Sequence, residues 1–190
     1  MVARPKISRG QLIGYLSIFV VAPIFTYLAG SWLDELLGLP AFPPFPINVV
    51  AGLLVFAFGL SVGIRSTKVL YREGLGLPWG EARKTVQTRR LVTSGPYAYT
   101  RNPMILGYSL LPCGMGVMFR SLGMSTVIPL IVVVINVAVV KIWEEPDLEK
   151  RFGQKYLDYR RSTPFLIPRS QNLARIVLEP IPKSPEKRSS

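Results

Sequence analysis

The most regular pattern along the chain is a series of long apolar stretches almost free of charged residues. They cover residues 11–33, 46–64, 102–119 and 121–143. At about 1.5 Å of rise per helical residue, such stretches are long enough to cross, or nearly cross, a hydrocarbon core about 30 Å thick. The pattern predicts an all-α, polytopic membrane protein with about four transmembrane helices.

The connections between these stretches differ in length and composition. A proline-rich loop separates the first two spans, whereas only Arg120, Ser121 and Gly123 mark the turn between the third and fourth. That short turn predicts a tight antiparallel hairpin. A cleaved signal peptide is the alternative for the first stretch, but the stretch is longer than a signal-peptide core, and Asp34 and Glu35 follow it without a small-residue cleavage site.

The remaining segments are polar. Residues 66–101 form a glycine-rich, basic connection that is too long to be an idle loop. Residues 146–161 carry an apolar stripe at helical spacing, formed by Leu148, Phe152, Tyr156 and Tyr159. The stripe predicts a cytoplasmic amphipathic helix, which either packs on the membrane domain or covers a site. We expect a membrane domain over residues 1–169 and a basic, loosely ordered tail over residues 170–190.

Composition and charge support a membrane location. Hydrophobic residues make up 49% of the 190 residues and charged residues only 18%, which excludes a disordered chain. The formal net charge is +12, and the basic residues flank the apolar stretches. Their alternation predicts that the N-terminus, the central segment and the C-terminus are cytoplasmic. Because the cations follow this topology instead of forming one patch, we expect the lipid bilayer as partner and no nucleic acid. Nothing in the sequence defines an oligomeric state.

The residue types that the chain lacks limit the kinds of metal site and cross-link that it can form. The chain has no histidine and a single cysteine, Cys113, inside an apolar stretch. Neither a zinc cluster nor a disulfide framework is therefore available, and no metal is predicted.

Two polar clusters flank the predicted hairpin. Arg101, Asn102 and Pro103 precede the third span, where Asn is a favoured N-cap and Pro a favoured first helical residue. A helix start beside an arginine can bind an anion. Glu144 and Glu145 follow the fourth span, and hairpin geometry brings the two clusters together. The pair predicts a pocket for a ligand that is both zwitterionic and cationic.

Each cluster also has an ordinary structural explanation. Asn-Pro is a common helix cap, and arginines at a membrane edge are common anchors of topology. The adjacent glutamates are harder to explain in this way, because acidic residues at a helix C-terminus oppose the helix dipole. We therefore expect a cation to compensate them, either Arg101 or a ligand.

Two motifs in this order carry a resemblance. The segment LVTSGPYAYTRNPM, the apolar hairpin and EEPDLEKRFGQKYLDYRRSTPFLIP resemble the isoprenylcysteine carboxyl methyltransferase family and the related membrane phospholipid methyltransferases. The resemblance covers residues 74–168, about half of the chain. It implies an integral membrane methyltransferase that uses S-adenosylmethionine as cofactor and a lipophilic methyl acceptor.

The resemblance also implies roles for individual residues. It places the cofactor loop of the family on Arg89, Arg90, Leu91, Val92 and Tyr97, and its helix start on Arg101, Asn102, Pro103, Met104 and Ile105. The glutamate pair of the family falls on Glu144 and Glu145. We assign Glu144 to the ammonium or ribose of the cofactor and Glu145 to electrostatic stabilisation. Together with Arg101 and Asn102, they form the predicted catalytic set. The substrate-binding arginine of eukaryotic relatives falls on Val140, beside Lys141, while Asn102 and Ile105 stand where isoprenylcysteine methyltransferases have His and Tyr.

Several alternatives stay open at this point. A carboxylate acceptor needs no general base, which suits a chain without histidine, whereas Asn102-Pro103-Met104 is similar to the phospholipid methyltransferases, whose acceptor is an amine. Sterol reductases share the C-terminal likeness but are much larger, and Gly74-Leu75-Gly76 is too weak a dinucleotide signal. A small membrane scaffold or transporter subunit is the non-enzymatic alternative; the absence of charges within the spans argues against an ion pathway.

Overall fold

A computed structural model of the protein describes residues 20–74, 88 and 90–180. The described residues form helices and turns without any strand, which confirms the predicted all-α class for this part of the chain. The α-helices are α1 (Ala22–Leu37), α2 (Ile47–Val69), α3 (Pro103–Phe119), α4 (Ile128–Val139), α5 (Glu145–Phe152), α6 (Gln154–Ser162) and α7 (Arg175–Leu178). Wider π-helical turns extend α2 over Leu70–Gly74 and flank α4 at Gly123–Val127 and Val140–Glu144.

Two continuous helical stretches within the described residues are long and apolar enough to cross a membrane. They are Ile47–Gly74, with 28 residues, and Gly123–Phe152, with 30 residues. In the most apolar 18-residue part of each helix, only 28% and 22% of the residues are buried. Such exposure is unlike that of a core helix in a soluble protein. Helix α3 is apolar but has only 17 residues, and residues 11–19 of the first predicted span lie outside the described part. The count of four spans therefore remains a prediction.

Chain contacts divide the protein into two units, the first made of Met1–Leu53 and Pro112–Pro129. Its helices pack through glycines. A Cβ on Gly30 would lie 2.6 Å from the Cβ of Met124, and one on Gly116 would overlap the backbone of Ser125. A bulkier residue at either position would force the helices apart. The close approach of Gly116 to Ser125 lies at the turn between α3 and the following helix, where the turn length predicts a tight hairpin.

The first predicted span ends later than its charge pattern indicates. Helix α1 continues past Leu33 to Leu37 and stops at Gly38, whose φ of 60° ends the helix in the left-handed region. The Asp34 carboxylate accepts a hydrogen bond of 2.7 Å from the backbone N–H of Gly123. The acidic residue thus lies at the N-terminal end of another helix, where the helix dipole favours it.

The second unit contains Leu54–Leu111 and Leu130–Ser190. In this unit α2 and α3 approach closely, because a Cβ on Gly107 would lie 2.7 Å from the backbone nitrogen of Gly63. The helix of the second predicted span continues past residue 64 to Gly74. Charged side chains end the apolar stretch but do not break a helix that extends beyond a bilayer. Residues 66–74, which the sequence assigns to the polar connection, are therefore helical.

The fourth span and the amphipathic helix also differ from their predicted bounds. The helix that begins at Gly123 passes residue 143 and ends only at Phe152. Pro146, which lacks an N–H, is accommodated just after the wider turn Val140–Glu144. The helix predicted over 146–161 is interrupted at Gly153, which has φ 54° and ψ −131°. Its first half therefore belongs to the long helix and its second half is α6.

Part of the predicted loose tail is helical. Residues Ser170–Asn172 form a 3-10 turn and Arg175–Leu178 form α7, in which Ile176 is only 1% exposed. Arg65 Nε donates to the carbonyl of Ile176 at 3.2 Å, and the Tyr99 hydroxyl donates to the Glu179 carboxylate. An apolar anchor and these polar contacts hold the segment, which net charge and proline content do not reveal. Residues 181–190 lie outside the described part.

Candidate active site

Hydrogen bonds to backbone carbonyls join the entrance of α3 to the segment that follows α6. The N–H of Arg101 donates to the Pro164 carbonyl at 2.9 Å, and the Asn102 side-chain amide donates to the Phe165 carbonyl at 3.0 Å. The Thr100 hydroxyl lies 3.2 Å and 2.8 Å from the carbonyls of Phe165 and Leu166. These contacts fix Arg101 at the helix entrance and set the Phe165 ring beside it.

The central group of the site is the Glu145 carboxylate, which two cations share. Arg101 Nη1 lies 2.5 Å from Glu145 Oε1, and Lys141 Nζ lies 3.2 Å from Oε2. The side chains of Arg101 and Glu145 are only 10% and 8% exposed, so this ion pair is largely shielded from water. Lys141 is 49% exposed and lies at the outer side of the carboxylate.

Aromatic side chains surround the ion pair. The Arg101 guanidinium lies 5.3 Å and Lys141 Nζ 4.6 Å from the centroid of the Phe165 ring. The Tyr156 hydroxyl accepts a long hydrogen bond of 3.5 Å from Arg101 Nη1. Burial raises the pKa of Tyr156 to about 12, and the Glu145 carboxylate adds to the rise. The phenol therefore keeps its proton at neutral pH.

The segment before the helix entrance is held by a small apolar cluster. Val69, Val92 and Tyr97 are buried together, with Leu70 packed against them. The Tyr159 hydroxyl donates to the Tyr97 carbonyl at 2.7 Å, and burial raises the pKa of Tyr159 as well. This cluster ties the turn Gly95–Ala98 to α2 and to α6.

The donors present suit a ligand that carries both a carboxylate and a cation. Arg101 Nε is buried and has no hydrogen-bond partner among the described residues, so it can donate to a ligand carboxylate. An open cleft of about 350 Å³ adjoins Glu145, a volume at the lower end of small-molecule sites. The residues that line it are Lys141, Glu145, Pro146, Glu149, Lys150 and Arg160.

A comparison with known families identifies the family of the chain. A family model described as phospholipid methyltransferase matches residues 47–155, more than half of the chain. The chain belongs to the phospholipid methyltransferase family. No curated protein and no solved structure matches it.

Family membership confirms the resemblance seen in the motifs and makes the protein a membrane methyltransferase, in agreement with its two long apolar helices. The matched range includes Arg101 and both glutamates of the phospholipid methyltransferase site predicted from sequence. It ends just before Tyr156 and does not reach Phe165. These two residues are therefore features of the site that the structure adds to the family match.

The structure brings together part of the predicted site. Arg101, Asn102, Lys141 and Glu145 meet around Phe165, and Val140 is buried within the turn that precedes Glu145. Glu144 is the half-buried neighbour of Glu145. Because the helix continues to Phe152, neither glutamate lies at a helix C-terminus as the sequence suggested, and Arg101 and Lys141 supply the compensation expected for Glu145.

Other predicted residues lie apart from this group. Val92 and Tyr97 are buried in the apolar cluster, Leu91 is half-buried and Arg90 is exposed. Within α3, Pro103 and Ile105 are buried and Met104 is half-buried. Arg89 lies outside the described residues. The predicted contact of these residues with a cofactor therefore remains a hypothesis.

Sequence reasoning missed Thr100, Tyr156 and Phe165 as members of the site. Tyr156 was visible only as one position of the apolar stripe, and Phe165 only as part of the C-terminal motif. The Thr100 hydroxyl donates to backbone carbonyls, and the Phe165 ring lies beside the cations of Arg101 and Lys141. The sequence carries no separate signal for either contact.

Proposed function

We propose that this protein transfers the methyl group of S-adenosylmethionine to the headgroup amine of a phospholipid at the cytoplasmic face of a membrane. The observation that carries the proposal is the contact between Arg101 and Glu145, with the buried Nε of Arg101 left to donate to a ligand carboxylate. The name of the matched family supports a phospholipid as acceptor. S-adenosylmethionine, when bound, would supply a methyl group activated on a positively charged sulfur.

The chain's own residues would bind and orient the two substrates. We assign the cofactor carboxylate to Arg101 Nε and to the backbone amides at the α3 entrance, Asn102 to Met104. Glu144 is assigned to the cofactor ammonium or ribose, and Glu145 supplies negative potential. Arg89, Arg90 and Leu91 would frame the adenosine, with Val92 and Tyr97 as the packed support behind them. Val140 would border the lipid.

An amine acceptor must lose a proton before it can attack a methyl group. We assign proton acceptance to the Glu144 carboxylate, the neighbour of Glu145. In an aligned displacement the protein needs no covalent nucleophile, because orientation and electrostatic stabilisation lower the barrier.

Calorimetric titration of S-adenosylmethionine into detergent-solubilised protein tests cofactor binding. Arg101→Lys keeps a cation beside Glu145 but removes the Nε–H donor. We expect it to weaken binding about ten- to a hundredfold, as for the loss of a charge-assisted hydrogen bond. Lys155→Arg, on the exposed surface of α6, is the matched control and should bind as the wild type. Absence of binding to folded wild type would refute the proposal.

The acceptor is tested with methyl-labelled cofactor and vesicles. We expect label in vesicles that contain phosphatidylethanolamine and none in vesicles of phosphatidylcholine alone, with loss of transfer in Glu144→Gln. Base-labile label on a prenylcysteine instead would assign a carboxylate acceptor and contradict the amine. If neither acceptor is labelled by a protein that binds cofactor, the proposed transfer is wrong.

A further inference from the structure

Glu145 and Phe165 form a site suited to a cation, and in this structure Lys141 occupies it. The ammonium of Lys141 lies 3.2 Å from Glu145 Oε2 and 4.6 Å from the Phe165 ring centroid. A carboxylate beside an aromatic face is a favourable environment for a cation, including one without N–H groups, because the ring attracts positive charge without hydrogen bonds. We call Glu145 Oε2 and the Phe165 ring the cation seat.

The two cations that share this environment are held very differently. Arg101 is fixed by its backbone hydrogen bond to Pro164 and by its buried contact with Glu145 Oε1. Lys141 reaches the seat only with the end of a flexible side chain that is half exposed and also lines the open cleft. Its ammonium can therefore move into water at low cost, whereas the Arg101 guanidinium cannot.

We propose that Lys141 is a resident counter-ion that a cation of the bound ligand displaces from the cation seat. The inference rests on the proposed function, because the ligand is the methyl-donor cofactor. Displacement leaves the charge around Glu145 unchanged, since one cation replaces another. The incoming cation is either the sulfonium, which disappears when the methyl group leaves, or the α-ammonium, which does not.

The sulfonium and the α-ammonium have different consequences for binding when they occupy the cation seat. If the sulfonium occupies the seat, the neutral thioether product cannot compete with Lys141, and the returning ammonium favours product release. If the α-ammonium occupies it, Lys141 opposes cofactor and product equally. Lys141 would in either case weaken cofactor binding, which is the opposite of what a basic residue that contacts a ligand carboxylate does.

Titration calorimetry of S-adenosylmethionine and S-adenosylhomocysteine into folded wild type and Lys141→Met separates these cases. Methionine keeps the length of the side chain but removes its charge. We expect Lys141→Met to tighten S-adenosylmethionine binding about two- to fivefold, as for the removal of a partly exposed competing ion pair. Lys155→Met removes the same charge from the exposed surface of α6 and should leave the affinity within experimental error.

Each result has a distinct meaning. Tighter binding of S-adenosylmethionine alone supports the seat and assigns it to the sulfonium, and equal tightening of both ligands supports it and assigns the α-ammonium. Unchanged or weaker binding in Lys141→Met, with wild type binding normally, overturns the inference but not the proposed function. Absence of binding by folded wild type contradicts the proposed function instead. Phe165→Leu should weaken S-adenosylmethionine binding, and Phe165→Tyr, which restores the ring, should recover it; failure of this recovery also counts against the seat.

Discussion

Glu145 is the residue on which the electrostatics of the site depend most. Its carboxylate is only 8% exposed, and each of its oxygens faces a cation. Placing a charge in such an environment is costly unless it is paired, and removing one partner leaves the other uncompensated. The Arg101–Glu145 pair is therefore a structural requirement of the folded site as well as a candidate for ligand binding.

Glu145→Gln should destabilise the protein strongly, because it leaves the guanidinium of Arg101 buried without its counter-charge. We expect a loss of about 3 kcal/mol, measured by reversible unfolding in detergent. Asp158→Asn is the matched control, since it removes the carboxylate of the exposed pair with Arg161 and should cost less than about 0.5 kcal/mol. The double variant Arg101→Met, Glu145→Met should recover at least half of the loss. If Glu145→Gln and Asp158→Asn lower the free energy of unfolding equally, the Arg101–Glu145 pair is not shielded from water in the folded protein.

The ion pair could be foreseen from the sequence, but its aromatic and backbone surroundings could not. Arg101 and Glu145 flank a short hairpin, so their proximity follows from the turn length. Phe165 reaches them because the backbone N–H of Arg101 and the side chains of Thr100 and Asn102 donate to carbonyls of residues 164–166. Such contacts between distant backbone segments leave no trace in side-chain pattern or charge.

At the element scale, both ends of α3 were predictable from sequence, whereas the helices of the other three predicted spans continue past the residues at which charge appears. The Asn-Pro step predicts the start of α3 at Pro103, as observed. The predicted span ends that these helices pass are at residues 33, 64 and 143, where charged residues follow apolar ones. Hydropathy indicates where a helix leaves an apolar environment. The helix itself ends only where a residue such as Gly38 or Gly153 adopts a positive φ outside the right-handed helical region.

Gly153 sets the direction in which α6 departs from the long helix, and with it the position of Tyr156. Its combination of φ 54° and ψ −131° is one that residues with a Cβ rarely adopt, although no atom lies within 4 Å of a Cβ built there. Gly153→Ala should therefore cost about 1–3 kcal/mol through backbone strain alone. Gly38→Asn, at a left-handed position that asparagine tolerates, should cost only a few tenths of a kcal/mol. A neutral Gly153→Ala in thermal unfolding would mean that α5 and α6 form one straight helix.

At the scale of the whole molecule, the number of membrane crossings decides on which side each polar segment lies. The helices Ile47–Gly74 and Gly123–Phe152 are long enough to span a bilayer. Helix α3, with 17 residues, extends about 25 Å at the usual rise, slightly less than the hydrocarbon core. Positive charge supports its crossing, because the segment from Arg65 to Arg101, before α3, has eight Lys or Arg residues, whereas the short turn after α3 has only Arg120.

Cysteine labelling distinguishes three crossings between Ala41 and Lys155 from two. In a Cys113→Ala background, which removes the single native cysteine, Ala41→Cys and Lys155→Cys are treated in intact cells with a membrane-impermeant maleimide. If α3 crosses, the two positions lie on opposite sides, and we expect Ala41→Cys to react at once and Lys155→Cys only after permeabilisation. If α3 does not cross, both positions lie on one side and react together. That result would contradict the four-span topology, because the basic segment around Lys155 would then lie on the same side as the loop near Ala41, which has no Lys or Arg.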